Sequence, residues 1–229
     1  MNIPVAPVEW KPCLRIIPSR FPPIRAFERV TDHNDIDAVF EIESLTNSRL
    51  RDETGDIQLV PPEDRTSGPG AGVIMAAFTH INPEGSRFSD GTFGVFYAAN
   101  DLDTAIAETK HHREQFMRAT NQRRMKLNMR VYLVDLSAAL HDLRGRRTEF
   151  PLVYHNDNYA AGQHFAATLR SDGSDGIVYD SVRRHNGVCA AVFRPRLLSN
   201  CRQERHLCYS WNGLRIDSVY EKREIDSKQ

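Results

Sequence analysis

No apolar run in this chain of 229 residues approaches the roughly 18–20 residues that a membrane-spanning helix needs. The stretch Met1 to Trp10 lacks the basic start and apolar core of a secretory leader, so a cytoplasmic protein with no membrane contact is expected. Cysteine is scarce. Cys13, Cys189, Cys201 and Cys208 are expected to be reduced thiols. Cys201, His206 and Cys208 lie close together, but no CxxC pair accompanies them, and no metal is expected. Net charge is also missing: Lys+Arg 30 cancels Asp+Glu 30, which argues against a protein that coats nucleic acid. Lysine is nearly absent, with 5 Lys against 25 Arg. Arginine is the better bidentate ligand for phosphate, so this excess fits either a phosphate-bearing ligand or the codon bias of a GC-rich genome. Several enzyme signatures are absent too. There is no G-x-S-x-G elbow, no H-E-x-x-H, no G-x-G-x-x-G after a strand, no Walker loop and no kinase set.

What is present reads as an ordinary globular domain, with 40% hydrophobic and 26% charged residues. Residues 1–26 are rich in proline (Pro4, Pro7, Pro12, Pro18, Pro22, Pro23) and predict an extended arm laid over the domain, because each proline removes a ladder donor. Helical spacing of Ile36, Val39 and Phe40 predicts a helix over Asp32–Leu45. Pro61 to Gly72 reads as a loop. Val95–Ala99 predicts a buried strand, followed at once by a helix capped by Asn100 or Asp101, with Asp103 in its first turn. Further strands are expected at Arg130–Leu136, Ile177–Tyr179 and Val188–Phe193, and a helix at Asp157–Arg170. Residues 199–229 read as a basic extension whose charged tail, after Ile216, is frayed. The elements follow no regular βαβ rhythm, which favours α+β. His111 and His112 are adjacent, so on a helix they diverge by about 100° and would not chelate one metal.

Four polar residues stand in apolar or glycine-bounded surroundings. Arg87 lies in a glycine-flanked turn, where it could meet a phosphate or simply form an ion pair. Tyr97 lies in an apolar strand, as a site aromatic or a core ring. Glu108 sits at the margin of the helix's buried face, as a site carboxylate or a solvated one. Ser181 follows the strand Gly176–Asp180, as a binding group or a turn former.

The run G-S-R-F-S-D-G-T-F-G-V-F-Y-A-A-N-D-L-D-T-A-I-A-E-T resembles the RES domain, a family named for its Arg, Glu and Ser. Arg87, Tyr97 and Glu108 fall ten and eleven residues apart, as that pattern expects. Downstream, S-D-G-I-V-Y-D-S-V-R supplies Ser181, and A-V-F-R-P-R-L-L is similar to the family's closing strand. Upstream, A-F-E-R-V resembles its opening aromatic-x-Arg strand and points to Arg29. The resemblance covers residues 27–198. Gly-Ser-Arg-Phe stands where many relatives have Gly-Gly-Arg-Trp, and the segment between Arg29 and Arg87 is longer than in compact members. The resemblance implies an α+β fold like that of ADP-ribosyltransferases, with a mixed sheet, surrounding helices and the extended arm. It also implies a toxin of a toxin–antitoxin pair that cleaves NAD at the nicotinamide–ribose bond. ADP-ribose then passes to water, to phosphate or to a protein such as a phosphoribosyl pyrophosphate synthetase. The implied partner is a helix-turn-helix (Xre-like) antitoxin, which alone touches DNA. On this reading Glu108, Arg87 and Tyr97 are catalytic, and Arg87, Tyr97, Ser181 and Arg29 bind NAD. Ile106 stands two residues before Glu108, where arginine-directed transferases carry Glu or Gln. The alternatives are a mono-ADP-ribosyltransferase with a specific protein target, or a non-catalytic nucleotide-binding interaction module.

Overall fold

β3, Met125–Asp142, is the strand on which the rest of the molecule hangs. In this computed structural model, which describes residues 3–21, 26–29 and 55–223, one edge of β3 pairs antiparallel with β1, Val5–Pro18. The other edge pairs with β6, Leu198–Trp211, and then, in parallel, with β4, Gly176–Asp180. β2 (Phe96–Ala99) and β5 (Val188–Val192) complete a circuit β1–β2–β5–β4–β3 that returns to β1. β7, Ile216–Lys222, extends the sheet beyond β6. The described α-helices are α1 (Ala26–Arg29), α2 (Ala71–Thr79), α3 (Leu102–Ala119) and α4 (Ala160–Ser171). The fold is α+β with a seven-stranded mixed sheet, as the element pattern implied.

Both faces of the sheet are buried. In β2, Phe96 and Ala98 join one apolar cluster while Tyr97 and Ala99 contact the other, as the two-residue repeat of a strand requires. The first cluster holds Phe88, Tyr179, Tyr209 and Trp211 under α3 and α4, which contribute Ala105, Met117 and Ala166. The second holds Phe96, Val134 and Leu136 under α1 and α2, which contribute Phe27, Ile74, Met75 and Phe78. Burial on both sides explains why β4 and β5 read as continuous apolar runs. Rings of this size cost about 3–5 kcal/mol when truncated in a packed core, so Trp211, 1% exposed, is a principal anchor.

Several expectations are corrected. The N-terminal arm is extended, but its residues 5–18 form a sheet strand in register with β3. Pro12 is accommodated because it falls at an irregularity between Trp10 and Cys13, where the ladder is already interrupted, while Pro7 and Pro18 keep register places opposite Ala139 and Met129. Phe27 and Arg29 lie in a single helical turn and not in an opening strand; the Arg29 side chain, like the segment of the expected helix Asp32–Leu45, lies outside the described residues. The Pro61–Gly72 loop contains a 3-10 turn at Pro62–Asp64 and gives way to α2 at Ala71. α4 begins at Ala160, three residues after the expected start. β3 is longer at both ends than Arg130–Leu136. The tail after Ile216 is paired as β7 up to Lys222, because Ile216 is fully buried and β6 supplies its ladder. No described helix is long and apolar enough to cross a membrane.

Candidate active site

The segment from Asn82 to Asp101 builds one side of the site by local rules. Asn82 closes a turn through its carbonyl, which accepts from Gly85 N–H at 2.8 Å, and through Nδ2, which donates to the Gly85 carbonyl at 3.0 Å. Gly85 has φ +77°, a region that favours glycine, and a Cβ there would lie 2.5 Å from the Ser89 carbonyl oxygen. Ser86 and Ser89 bridge across the next tight turn, which presents Arg87 and buries it. Tyr97 holds this turn from β2. Its hydroxyl accepts from Phe88 N–H at 2.8 Å and hydrogen-bonds Ser86 Oγ at 2.8 Å. Burial pushes that phenol up to about 12 against the opposing pull of the Ser86 and Phe88 hydrogen bonds and the Arg87 charge. α3 then starts where expected, with the Asp101 carboxylate accepting from Thr104 N–H at 2.9 Å.

Glu108 and Ser181 meet directly. Ser181, fully buried at the end of β4, donates from Oγ to Glu108 Oε1 at 2.6 Å. The same Oγ accepts from the N–H groups of Arg183 (3.1 Å) and Arg184 (3.0 Å), and Ser181 N–H donates to the Gly187 carbonyl at 2.8 Å. The turn after β4 is therefore wound around this one hydroxyl. It is also tied to the start of α3, because Arg184 bonds Asp101, Thr104 Oγ1 (3.1 Å) and Asp103 Oδ2 (2.9 Å). Cys189, opposite Tyr179 in the β4–β5 register, points its buried thiol at the same Glu108 oxygen at 3.9 Å. Burial, with the nearby Glu108 charge second, drives that thiol well above its ordinary value, so it stays protonated.

Arg87 has a different immediate partner from the one its sequence context suggested. Its Nη1 donates to the carbonyls of Val153 (3.0 Å) and His155 (2.8 Å), its Nη2 reaches the Asn156 carbonyl at 3.5 Å, and its guanidinium lies 4.7 Å from the Tyr159 ring centre. It thus braces the segment before α4 across the site. Arg183, two residues after Ser181, bonds the Asn156 carbonyl from the other side. His112, one turn beyond Glu108, is exposed.

Arg87, Tyr97, Glu108 and Ser181 are thus gathered at one end of the first apolar cluster, around Phe88 and Tyr179, whose rings meet edge-on at 5.0 Å. Sequence reasoning missed Cys189, Tyr179, Tyr159, Arg183 and His112. Tyr179 and Ser181 share a strand face by their spacing of two, and Glu108 and His112 share a helix face by their spacing of four, so both signals were available. Cys189 enters only through strand register. Arg15 on β1 was also missed. It donates to the Tyr97 carbonyl at 3.1 Å, stacks over Phe96 at 4.4 Å and meets no carboxylate among the described residues. A cavity of about 170 Å³ lined by Asp64, Phe78, Arg170, Ser174 and Arg194 lies elsewhere, between α2 and the end of α4, and includes none of the site residues. Among the described residues no three His, Cys, Asp or Glu side chains come together as a metal site.

The RES domain family model matches residues 62–212. The chain belongs to the RES family. The matched span takes in Arg87, Tyr97, Glu108 and Ser181 and leaves out Arg29. A protein of Sinorhizobium fredii (strain NBRC 101917 / NGR234), "Uncharacterized protein y4oC", is 32% identical over 208 residues, covering 90% of this RES chain and 85% of that one. Among solved structures, the M. tuberculosis MbcT–MbcA toxin–antitoxin complex is similar at a TM-score of 0.42 and 10% identity, over 91% of this chain and 87% of that one.

Proposed function

We propose that this RES protein is an NAD-consuming toxin that breaks the bond between nicotinamide and ribose. The observation that carries the reading is the Glu108 carboxylate, set half-buried at the site with Oε1 held by Ser181 at 2.6 Å. Nicotinamide in NAD is cationic at its glycosidic nitrogen and leaves as a neutral ring, taking the bonding electron pair without a general acid. The barrier lies in the positive charge left on the ribose. A fixed carboxylate beside that carbon stabilises it and orients the incoming oxygen of water, phosphate or a protein group. Ser181 fixes Glu108, and Tyr97 packs against the nicotinamide ribose while holding the Ser86–Phe88 turn. Arg87, with Nε and one Nη2 hydrogen unengaged, offers these to the pyrophosphate while bracing the Val153–Asn156 segment, and Arg29 is the second candidate for the same role. NAD is a substrate here, and no metal has a part. A cytoplasmic setting, an ADP-ribosyltransferase-like fold and a helix-turn-helix antitoxin that covers the site belong to the same reading, which rests on family membership. The domain plan of an arm at residues 1–26, a RES core at 27–198 and an extension at 199–229 belongs to it as well.

The test is nicotinamide release from NAD by the purified chain, with mass analysis of the ADP-ribose product to name the acceptor. Wild type is expected to release nicotinamide and Glu108→Gln to lose about a hundredfold or more, the scale of removing one charge-stabilising group. Equal inertness of both folded proteins, free of any partner, overturns the reading.

A further inference from the structure

Arg20, in the turn after β1, and Arg113, on α3, stand near the site without a carboxylate or a hydrogen bond among the described residues. Both guanidinium groups lie 5.4 Å from the ring centre of Phe116, and Arg20 also stacks on Phe21 at 4.8 Å. Three other arginines are neutralised locally: Arg118 by Glu114, Arg146 by Glu149 and Arg184 by Asp101 and Asp103. Two like charges gathered on one ring repel each other, and an anion between them would relieve that. Beyond these stacked guanidinium groups, Phe116 stays 39% and Phe21 51% exposed.

Position along α3 ties this cluster to the catalytic carboxylate. Glu108, His112 and Phe116 are spaced i, i+4, i+8, so they form one slowly turning row. Eight residues at 1.5 Å each put Phe116 about 12 Å from Glu108 along the helix axis. A dinucleotide whose first ribose sits at Glu108 would carry its phosphates past His112 and its second base to Phe116.

We propose that Arg20, Arg113 and Phe116 form the adenylate subsite of the NAD site, the two arginines holding phosphate and the ring stacking adenine. The assignment rests on the NAD-consuming reading. It makes the dinucleotide, and not its nicotinamide mononucleotide half, the preferred ligand.

The experiment measures binding by calorimetry in a Glu108→Gln background, with NAD and nicotinamide mononucleotide as separate titrants. Nicotinamide release by the otherwise wild-type chain is read in parallel. Phe116→Ala, Arg113→Gln and Arg20→Gln are each expected to shrink the preference for NAD over the mononucleotide about tenfold, or about 1.4 kcal/mol. Tyr220→Ala, at an exposed position on β7, should leave that preference intact. A general folding defect would weaken both ligands together, so the ratio isolates the subsite. An unchanged ratio in all three variants, with nicotinamide still released, overturns the subsite and leaves the NAD reading standing. The subsite is likewise overturned if an acidic peptide binds these arginines without displacing NAD. Absence of both NAD binding and nicotinamide release removes the NAD reading, and the subsite falls with it.

Discussion

Replacing Ser181 by alanine removes one oxygen atom that serves three hydrogen bonds in a fully buried position. The bond to Glu108 is charge-assisted and contributes about 1.5–3 kcal/mol. The Arg183 and Arg184 amides each lose their acceptor, at about 1 kcal/mol apiece where water does not replace it. Ser181→Ala should therefore destabilise the fold by about 1.5–5 kcal/mol, the lower end where water replaces both lost acceptors, a large share of a typical total of about 5–15 kcal/mol. Urea unfolding reads this as a fall in the midpoint at unchanged slope. A double-mutant cycle with Glu108→Ala isolates the direct bond, with an expected coupling of about 1.5 kcal/mol or more. A coupling below about 0.5 kcal/mol, the additivity expected of independent sites, would refute the claim that Ser181 holds the carboxylate. The cycle is independent of any activity, so it tests the site's construction even if the substrate assignment fails.

Tyr97→Phe removes the acceptor of Phe88 N–H and should cost about 1–3 kcal/mol in the same unfolding assay, with loss of nicotinamide release as the Arg87 turn loosens. Gly162→Ala places a Cβ 2.5 Å from the Arg87 carbonyl oxygen, backbone against backbone, and should destabilise by about 1–3 kcal/mol while lowering activity. Alkaline pH should destabilise the fold. Tyr97, Tyr154 and Tyr209 are each raised to about 12 by burial, so the unfolded chain loses their protons first and stability falls as pH rises above about 10. Unfolding midpoints measured between about pH 9 and about pH 11 should decline, and a flat profile would contradict this.

The stretch from Gly85 to Glu108 is legible in the sequence because its structure is local. A glycine-rich turn, a short strand and an Asp101 cap are each decided by neighbours along the chain. The meeting of Glu108 with Ser181 spans 73 positions, and only strand pairing creates it, so residue spacing alone leaves both with ordinary structural readings. β1 reads as an overlay because its prolines count as lost donors, whereas Pro12 lies at a bulge. α2 gives no helical signal because it is buried nearly all round and has no polar face to set a period. Its start is also disguised, since Gly70 at φ +79° looks like loop and serves as the cap. β7 is concealed by its charges, which face water from an edge strand while Ile216 reaches the core and Val219 packs partly against it.

The circuit of strands has a consequence for how the molecule comes into being. β1 is synthesised before every other described strand, yet its partners in β3 extend to His141, and its other neighbour is β2. Until those residues have been made, both edges of β1 lack partners, an exposed state that favours slow, non-local folding and strand-to-strand aggregation. Closure also needs β5, which ends at Val192 and brings Cys189 up to Glu108. A nascent fragment that stops short of β5 can hold Arg87, Tyr97, Glu108 and Ser181 without holding the site.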